Sequence, residues 1–253
     1  MMTKKIDFYG VFFIVLSLLL PNLSSAVLAE NSSERINIKL ESIEDLSIDE
    51  GLSFIYFGDV GCGYCRKYLK DIQPKLKAQY FSSEASGSDK FTELEFSYLL
   101  GSFESSELAT KHLMCAETIS QTLDASASSS SNSNIKSLKE QLREKIISVP
   151  ENKVLESLPS FVKQLGLLDI MDEQKMKQCV ESKETQMALQ KGNDLGNRIG
   201  LQGIPQFFIG YQKDGQWLAV ETLVGFQPYK KFEQTLEKIK AFAQRSRLEP
   251  EKE

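Results

Sequence analysis

Apolar and polar positions along the chain switch between two periods, and the switches mark out the elements. Leu52-Ser53-Phe54-Ile55-Tyr56-Phe57 is a compact apolar and aromatic run, which reads as a buried strand. Gly58-Asp59-Val60-Gly61 makes a turn, and Cys62 to about Tyr80 reads as a helix. Phe91 to Leu100 reads as a second strand, with Phe91, Leu94, Phe96 and Tyr98 as its apolar positions. From Ser105 the spacing becomes helical, because Leu108, His112, Cys115 and Ile119 recur at i, i+4, i+7 and i+11. Ile135, Leu138, Leu142 and Ile146 mark a further helix. Ser157–Leu165 predicts a shorter one, with Gly166 suited to the position past its end. Asp172 is placed to cap a helix running through Cys179, and Lys183–Ile199 predicts another. Gln206–Ile209 reads as a strand, Lys213-Asp214-Gly215-Gln216 as a hairpin turn and Trp217–Val224 as the returning strand. Phe232, Leu236, Ile239 and Phe242 mark a closing amphipathic helix, with a frayed charged tail from Arg245 onward.

This order predicts an α/β domain: a sheet of at least four strands with helices on both faces and a large helical insertion at about 103–182. Asp124 to Asn134 holds six serines in eleven residues and reads as a flexible loop inside that insertion. Ile36, Ile38 and Leu40 alternate and predict a short edge strand before the core. The 253 residues suffice for one sizeable core, and a net charge of -5 with a pI near 5.3 argues against nucleic acid as the main partner.

The N-terminus sets an expected compartment. Lys4 and Lys5 precede an apolar run of 13 residues, Phe8 to Leu20, too short to cross a bilayer comfortably. Val27-Leu28-Ala29 then reads as a cleavage site. Residues 1–29 are therefore expected to be a secretory signal peptide, with an uncut N-terminal anchor as the alternative, and 30–253 a single domain working outside the cytoplasm, where disulfides persist.

Four cysteines are too few for a disulfide scaffold, but two of them form Cys62-Gly63-Tyr64-Cys65 where the first helix begins. A helix N-terminus carries unpaired N–H groups and partial positive charge, which stabilise a thiolate, the nucleophile of disulfide exchange. Cys62 is expected to attack and Cys65, one turn along, to resolve. Arg66 and Lys67 add positive charge nearby. Two other readings of the pair stand: a soft-metal carrier for copper(I) or zinc, and a binding module whose cysteines are structural. No histidine or methionine adjoins the pair, and the distances to Cys115 and Cys179 do not suggest a four-cysteine zinc centre, so no metal and no cofactor are expected. In an oxidising compartment Cys115 and Cys179 would pair as a structural disulfide; two free thiols, or a second redox pair, are the alternatives. His112 shares an apolar helix face and reads as structural. Tyr211 and Trp217, near the hairpin, are candidates for substrate contact. The Lys/Glu-rich stretches between 136 and 186 read as solvated helix faces.

Phe54-Ile55-Tyr56-Phe57-Gly58-Asp59-Val60-Gly61-Cys62-Gly63-Tyr64-Cys65 resembles the active-site strand and helix start of the bacterial DsbA/DsbC-like thiol-disulfide oxidoreductases. Cys62-Gly63-Tyr64-Cys65, with Asp59 three residues earlier, is most similar to the DsbC group. Leu195-Gly196 to Ile209 resembles the helix, loop and cis-proline strand of the wider family, and Val224-Gly225-Phe226-Gln227-Pro228 the DsbC-type approach to the last helix. Phe161-Val162-Lys163-Gln164-Leu165-Gly166-Leu167, before a helix ending at Cys179, resembles the helical insertion of DsbA. The resemblance covers about residues 50–242. It implies a thioredoxin-like fold with the insertion between the second strand and the cis-proline strand. It also implies exchange of disulfides with cysteine-containing secreted proteins, and a membrane or periplasmic redox partner. Pro205 would be cis and face Cys62. Ile204, with Gly63 and Tyr64, would contact substrate. Cys115 and Cys179 resemble a second disulfide of some members.

Two departures accompany the resemblance. Only about twenty residues precede the first core strand after the signal, so a DsbC-type dimerisation domain is not expected and the chain is expected to be a monomer. Six residues before the first active cysteine, DsbA-type and thioredoxin proteins place a buried acid, and this chain has Tyr56. Asp59 is the nearer acid, as a proton carrier or as a turn-former.

Overall fold

The computed structural model describes residues 50–82, 90–99, 104–126, 137–170 and 172–248. The expected signal segment, the edge strand at Ile36–Leu40, Ile135, most of the serine-rich loop and residues 249–253 lie outside the described residues. The elements follow in the order β1 (Gly51–Gly58), α1 (Gly63–Asp71), α2 (Gln73–Leu76), β2 (Phe91–Ser97), α3 (Glu104–Ser126), α4 (Leu138–Ser148), α5 (Val154–Gln164), α6 (Leu167–Ile170), α7 (Glu173–Glu181), α8 (Lys183–Arg198), β3 (Gln206–Lys213), β4 (Gln216–Val224) and α9 (Tyr229–Leu248).

The four strands pair in the order β2-β1-β3-β4. β1 runs parallel to β2, with Tyr56 opposite Glu95, and antiparallel to β3, with Phe57 opposite Gln206. β3 and β4 join through a two-residue turn in which Asp214 and Gly215 both have positive φ (52° and 71°), the hairpin geometry that follows the twist of the strands. β1 is buried on both sides from Leu52 onward, because even and odd residues serve different cores. Phe54 and Tyr56 join Tyr68 and Leu69 of α1, Phe207 of β3 and Phe232 and Leu236 of α9. Ile55 and Phe57 join Phe208, Leu195 of α8 and Ile199 just past its end. The first group is built largely from rings: Tyr68 and Phe207 lie 4.7 Å apart at their centroids, and Phe207 and Phe232 4.8 Å. A separate core of Leu113, Cys115, Ile119, Leu142, Ile146, Leu158, Met176 and their neighbours holds α3 to α7 together as the insertion between β2 and β3.

Several boundaries differ from the sequence reading, each for a local reason. The helix expected over Cys62–Tyr80 breaks at Ile72, and α2 restarts with Pro74 in its first turn, where its missing N–H costs nothing, before continuing as a π-helical turn over Lys77–Phe81. β3 continues through Lys213. α3 extends to Ser126, so Asp124–Ser126 are helical. α9 takes in Arg245–Leu248, with Arg245 and Arg247 in its last turn, where cations favour the carbonyl end. In β2 the expected apolar set mixes two faces. Leu94 and Phe96 pack toward α8, whereas Phe91 packs with β1 and the α1 side, and Glu93 and Glu95 share its parity. α8 lies very close to the end of β2: a Cβ at Gly192 would sit 2.2 Å from the Ser97 carbonyl oxygen. Leu99 N–H donates to Asn193 there at 2.9 Å.

Candidate functional site

The turn after β1 is assembled around Asp59. Its carboxylate accepts from the Gly61 N–H at 2.9 Å and from the Ser106 hydroxyl, and its backbone oxygen accepts from the Cys62 N–H at 3.0 Å. Asp59 is thus a buried turn-former, and burial pushes its pKa up against the pull of those two donors. Gly61 is required by the same packing, since a Cβ there would stand 2.5 Å from the Ser106 oxygen.

The turn delivers Cys62 to the N-cap of α1 in an extended conformation (φ −76°, ψ 122°). Its Sγ accepts from the Cys65 N–H at 3.3 Å and lies 3.9 Å from the Ile204 carbonyl oxygen. Cys62 is part-exposed and Cys65 fully buried, and both are free thiols. The two sulfurs are therefore unequal. The Cys65 side chain donates toward Cys62 and, together with the N–H groups of Cys65 and Tyr64 and against the opposing effect of burial, brings its pKa from 9.0 to about 7. Burial pushes the Cys65 thiol far up, and the neighbouring Cys62 charge adds to that.

Facing the pair from the segment that enters β3, the Ile204–Pro205 peptide bond is cis, and the Pro205 oxygen accepts from the Gly225 N–H at 2.7 Å. Ile204 is half-exposed, Gly63 is exposed, and Tyr64 is 66% exposed. Cys62, Cys65, Gly63, Tyr64, Ile204 and Pro205 thus gather at one end of the sheet. Tyr211 and Trp217 do not: Tyr211 is buried opposite Leu52, at the far end of β1, and Trp217 packs over Gly210. Arg66 and Lys67 do not direct their charge at Cys62 either. The Arg66 guanidinium donates to the Ile146 and Val149 carbonyls at the end of α4, and Lys67 lies 4.5 Å over the Phe226 ring.

Cys115 and Cys179 form a disulfide between α3 and α7, with Cα atoms 6.1 Å apart. His112 donates from Nδ1 to the Leu108 carbonyl at 2.9 Å, and burial lowers its pKa. Among the described residues no group of three or more His, Cys, Asp or Glu is placed to hold a metal ion.

Behind Cys65 lies a polar group that the sequence reading passed over. The Tyr56 hydroxyl faces the Cys65 sulfur and favours its thiolate, yet makes no hydrogen bond of normal geometry. Glu95, opposite Tyr56 in register, pairs with Arg143 of α4 at 2.9 Å. Gln73 donates to Glu93 at 2.7 Å and accepts weakly from Arg143 at 3.5 Å; Lys77 pairs with Glu93 and Glu140. Arg143 is only 5% exposed, so it is the exception among charges expected to be solvated. The signal for Glu93 and Glu95 was parity: two carboxylates on the same strand face as buried Phe91.

A family profile described as "Thioredoxin" matches residues 52–226. No curated protein sequence matches the chain. Among solved structures, alpha-DsbA1 of Wolbachia pipientis superposes with a TM-score of 0.58 at 17% identity, covering 79% of this chain and 91% of that one. The thiol-disulfide exchange protein alpha-DsbA2 of Wolbachia pipientis gives 0.51 at 16% identity, covering 80% and 92%. DsbA of Chlamydia trachomatis gives 0.52 at 12% identity, covering 77% and 87%. The chain therefore shares their thioredoxin-like α/β fold, with its mixed sheet and helical insertion between β2 and β3.

Proposed function

We propose that this chain, which belongs to the DsbA-like thioredoxin family of thiol-disulfide oxidoreductases matched over residues 52–226, exchanges disulfides with secreted protein substrates in the periplasm through Cys62 and Cys65. The observation that carries the reading is the inequality of the two sulfurs at the start of α1. Cys62 is accessible with a pKa near 7, and Cys65 is buried and kept protonated. Cys62 attacks one sulfur of a substrate disulfide, and the substrate's second sulfur leaves as a thiolate. Cys65 then attacks the Cys62 sulfur and releases the substrate. Run backwards, the same steps donate a disulfide, and the potential of the pair against that of its membrane or periplasmic redox partner sets the direction.

Ile204 supports a docking mode. Its carbonyl points at Cys62 from an irregular segment beside β3, so an extended substrate segment pairing with this backbone would bring its cysteine onto the nucleophile. Exposed Tyr64 and Gly63 frame the approach. The Cys115–Cys179 bridge braces the insertion and takes no part in exchange.

Cys65→Ser leaves the attack intact and removes resolution. The variant is expected to accumulate mixed disulfides through Cys62, visible as reducible bands on non-reducing gels and absent from Cys62→Ser. Equal patterns in the two variants would refute exchange. Titration of the reduced protein with copper(I) or zinc under native mass spectrometry tests the carrier reading, which requires a stoichiometric metal adduct lost in Cys62→Ser.

A further inference from the structure

Resolution demands more of Cys65 than position. It must lose a proton before it attacks, or gain one when it leaves, and it is fully buried. Solvent does not reach its sulfur, and the carboxylate expected in the neighbouring strand of such proteins is replaced by Tyr56.

A cavity of about 270 Å³ lies at the β2 edge between the sheet and α3. Tyr56, Asp59, Glu95 and Thr110 line it inside, and Glu117 and Lys139 line its outer part. The space is large enough for several waters. The Tyr56 hydroxyl and Thr110 Oγ1 are buried and lack hydrogen-bond partners. Unpaired buried hydroxyls are rare because each costs free energy, and here both belong to residues that line the cavity. Tyr56 stands between two groups: the Cys65 sulfur, which its hydroxyl faces, and Glu95, its register neighbour on β2, whose charge acts on it.

Resting on the exchange reading above, we infer that Tyr56 and Glu95 form the proton path of the buried thiol. When Cys65 attacks the Cys62–substrate disulfide, its S–H proton passes to the Tyr56 hydroxyl, which gives up its own proton through cavity water to the Glu95 carboxylate. The Cys65 electron pair forms the Cys62–Cys65 bond, the substrate sulfur departs with the pair of the broken bond, and the proton leaves through the cavity mouth. In the reverse direction Cys65 departs as a thiolate and is reprotonated along the same path. A hydroxyl suits the middle position because it donates and accepts at once. The charged and titratable groups around it are Cys65 and Tyr68 from α1, Glu93 and Glu95 from β2, Arg143 from α4 and Asp59 from the turn. Arg143 holds Glu95 in place, so Glu95 acts on Cys65 only through Tyr56.

Reduced protein mixed with the aromatic disulfide 5,5′-dithiobis(2-nitrobenzoate) in a stopped-flow cell separates the two steps. The first coloured thiolate reports attack by Cys62, and the second reports resolution by Cys65. Tyr56→Phe and Glu95→Gln are expected to slow the second phase by about a hundredfold at pH 7, at the low side of the range for general acid–base help. They leave the first phase within about twofold. The deficit shrinks as pH rises and hydroxide takes over. A second phase that stays at the wild-type rate in Tyr56→Phe, or a slowing that does not depend on pH, overturns the path. So does slowing by Asp59→Asn with none in Glu95→Gln, which would assign the proton to Asp59. Tyr56→Phe removes one oxygen from a packed ring and keeps the test valid if Glu95→Gln, by stranding Arg143, fails to fold. Absence of the first phase in the wild type would refute exchange itself.

Discussion

The low pKa of Cys62 is traceable chiefly to one neighbour, and that makes it testable. The largest contribution is the Cys65 side chain, which donates toward the Cys62 sulfur; the Cys65 and Tyr64 N–H groups contribute after it, against burial. With a pKa near 7, about half of Cys62 is thiolate at pH 7, compared with about 1% at the ordinary 9.0. The gain in thiolate is about fiftyfold. A less basic thiolate is also a weaker nucleophile, with a Brønsted slope of about 0.4–0.5, so two pH units give back about eightfold. The net advantage at pH 7 is about sixfold. Cys65→Ala deletes the side-chain donor and keeps the backbone N–H; Cys65→Ser restores a donor. Iodoacetamide alkylation of Cys62, followed by mass from pH 5 to 10, should show a midpoint near 7 in the reduced protein. The midpoint should rise in Cys65→Ala and return toward 7 in Cys65→Ser. Below pH 7 the rate falls as the thiolate is protonated, and Cys65 stays unmodified throughout because burial holds its proton. An unchanged midpoint in Cys65→Ala would refute the side-chain origin of the shift, and alkylation of Cys65 alongside Cys62 would refute the inequality of the sulfurs.

The bridge and the α8 contact give two stability tests. Replacing both Cys115 and Cys179 by alanine opens a 64-residue separation closed by the disulfide and should cost about 2–4 kcal/mol in urea unfolding; a loss below about 1 kcal/mol would show that the bridge constrains little. Gly192→Ala drives a methyl into the Ser97 carbonyl, a backbone atom that cannot rotate away, so a loss of about 1–3 kcal/mol is expected. An unchanged urea midpoint would mean that α8 does not sit so close to β2.

The core strands, the hairpin, the capped helices and the Cys62–Cys65 placement were legible in the sequence because each is written in local terms. Apolar runs, an Asp-Gly turn, Asp172 before a helix and a Cys-x-x-Cys at a strand-to-helix junction need no long-range knowledge. What was illegible depends on partners distant in the chain. Arg143 looks like any helix-surface cation until β2 sets Glu95 beside it. Arg66 reads as charge for the thiolate until α4 ends against it. Trp217 and Tyr211 look available until the sheet order buries one and places both away from Cys62. The break at Ile72 was signalled by Pro74, and the apolar period on either side obscured it.

The bond from Arg66 to the end of α4 has a bearing on how the insertion evolved with its host. The last carbonyls of a helix need donors, and here the donor is rooted in the helix that presents Cys62. The insertion and the reactive helix therefore share a fastening one turn from the nucleophile. A change in the tilt or length of α4 is transmitted to α1 without touching either cysteine. Drift in a segment remote from the chemistry can thus retune the nucleophile's orientation, and a transplant of the insertion between relatives has to carry both halves of that joint.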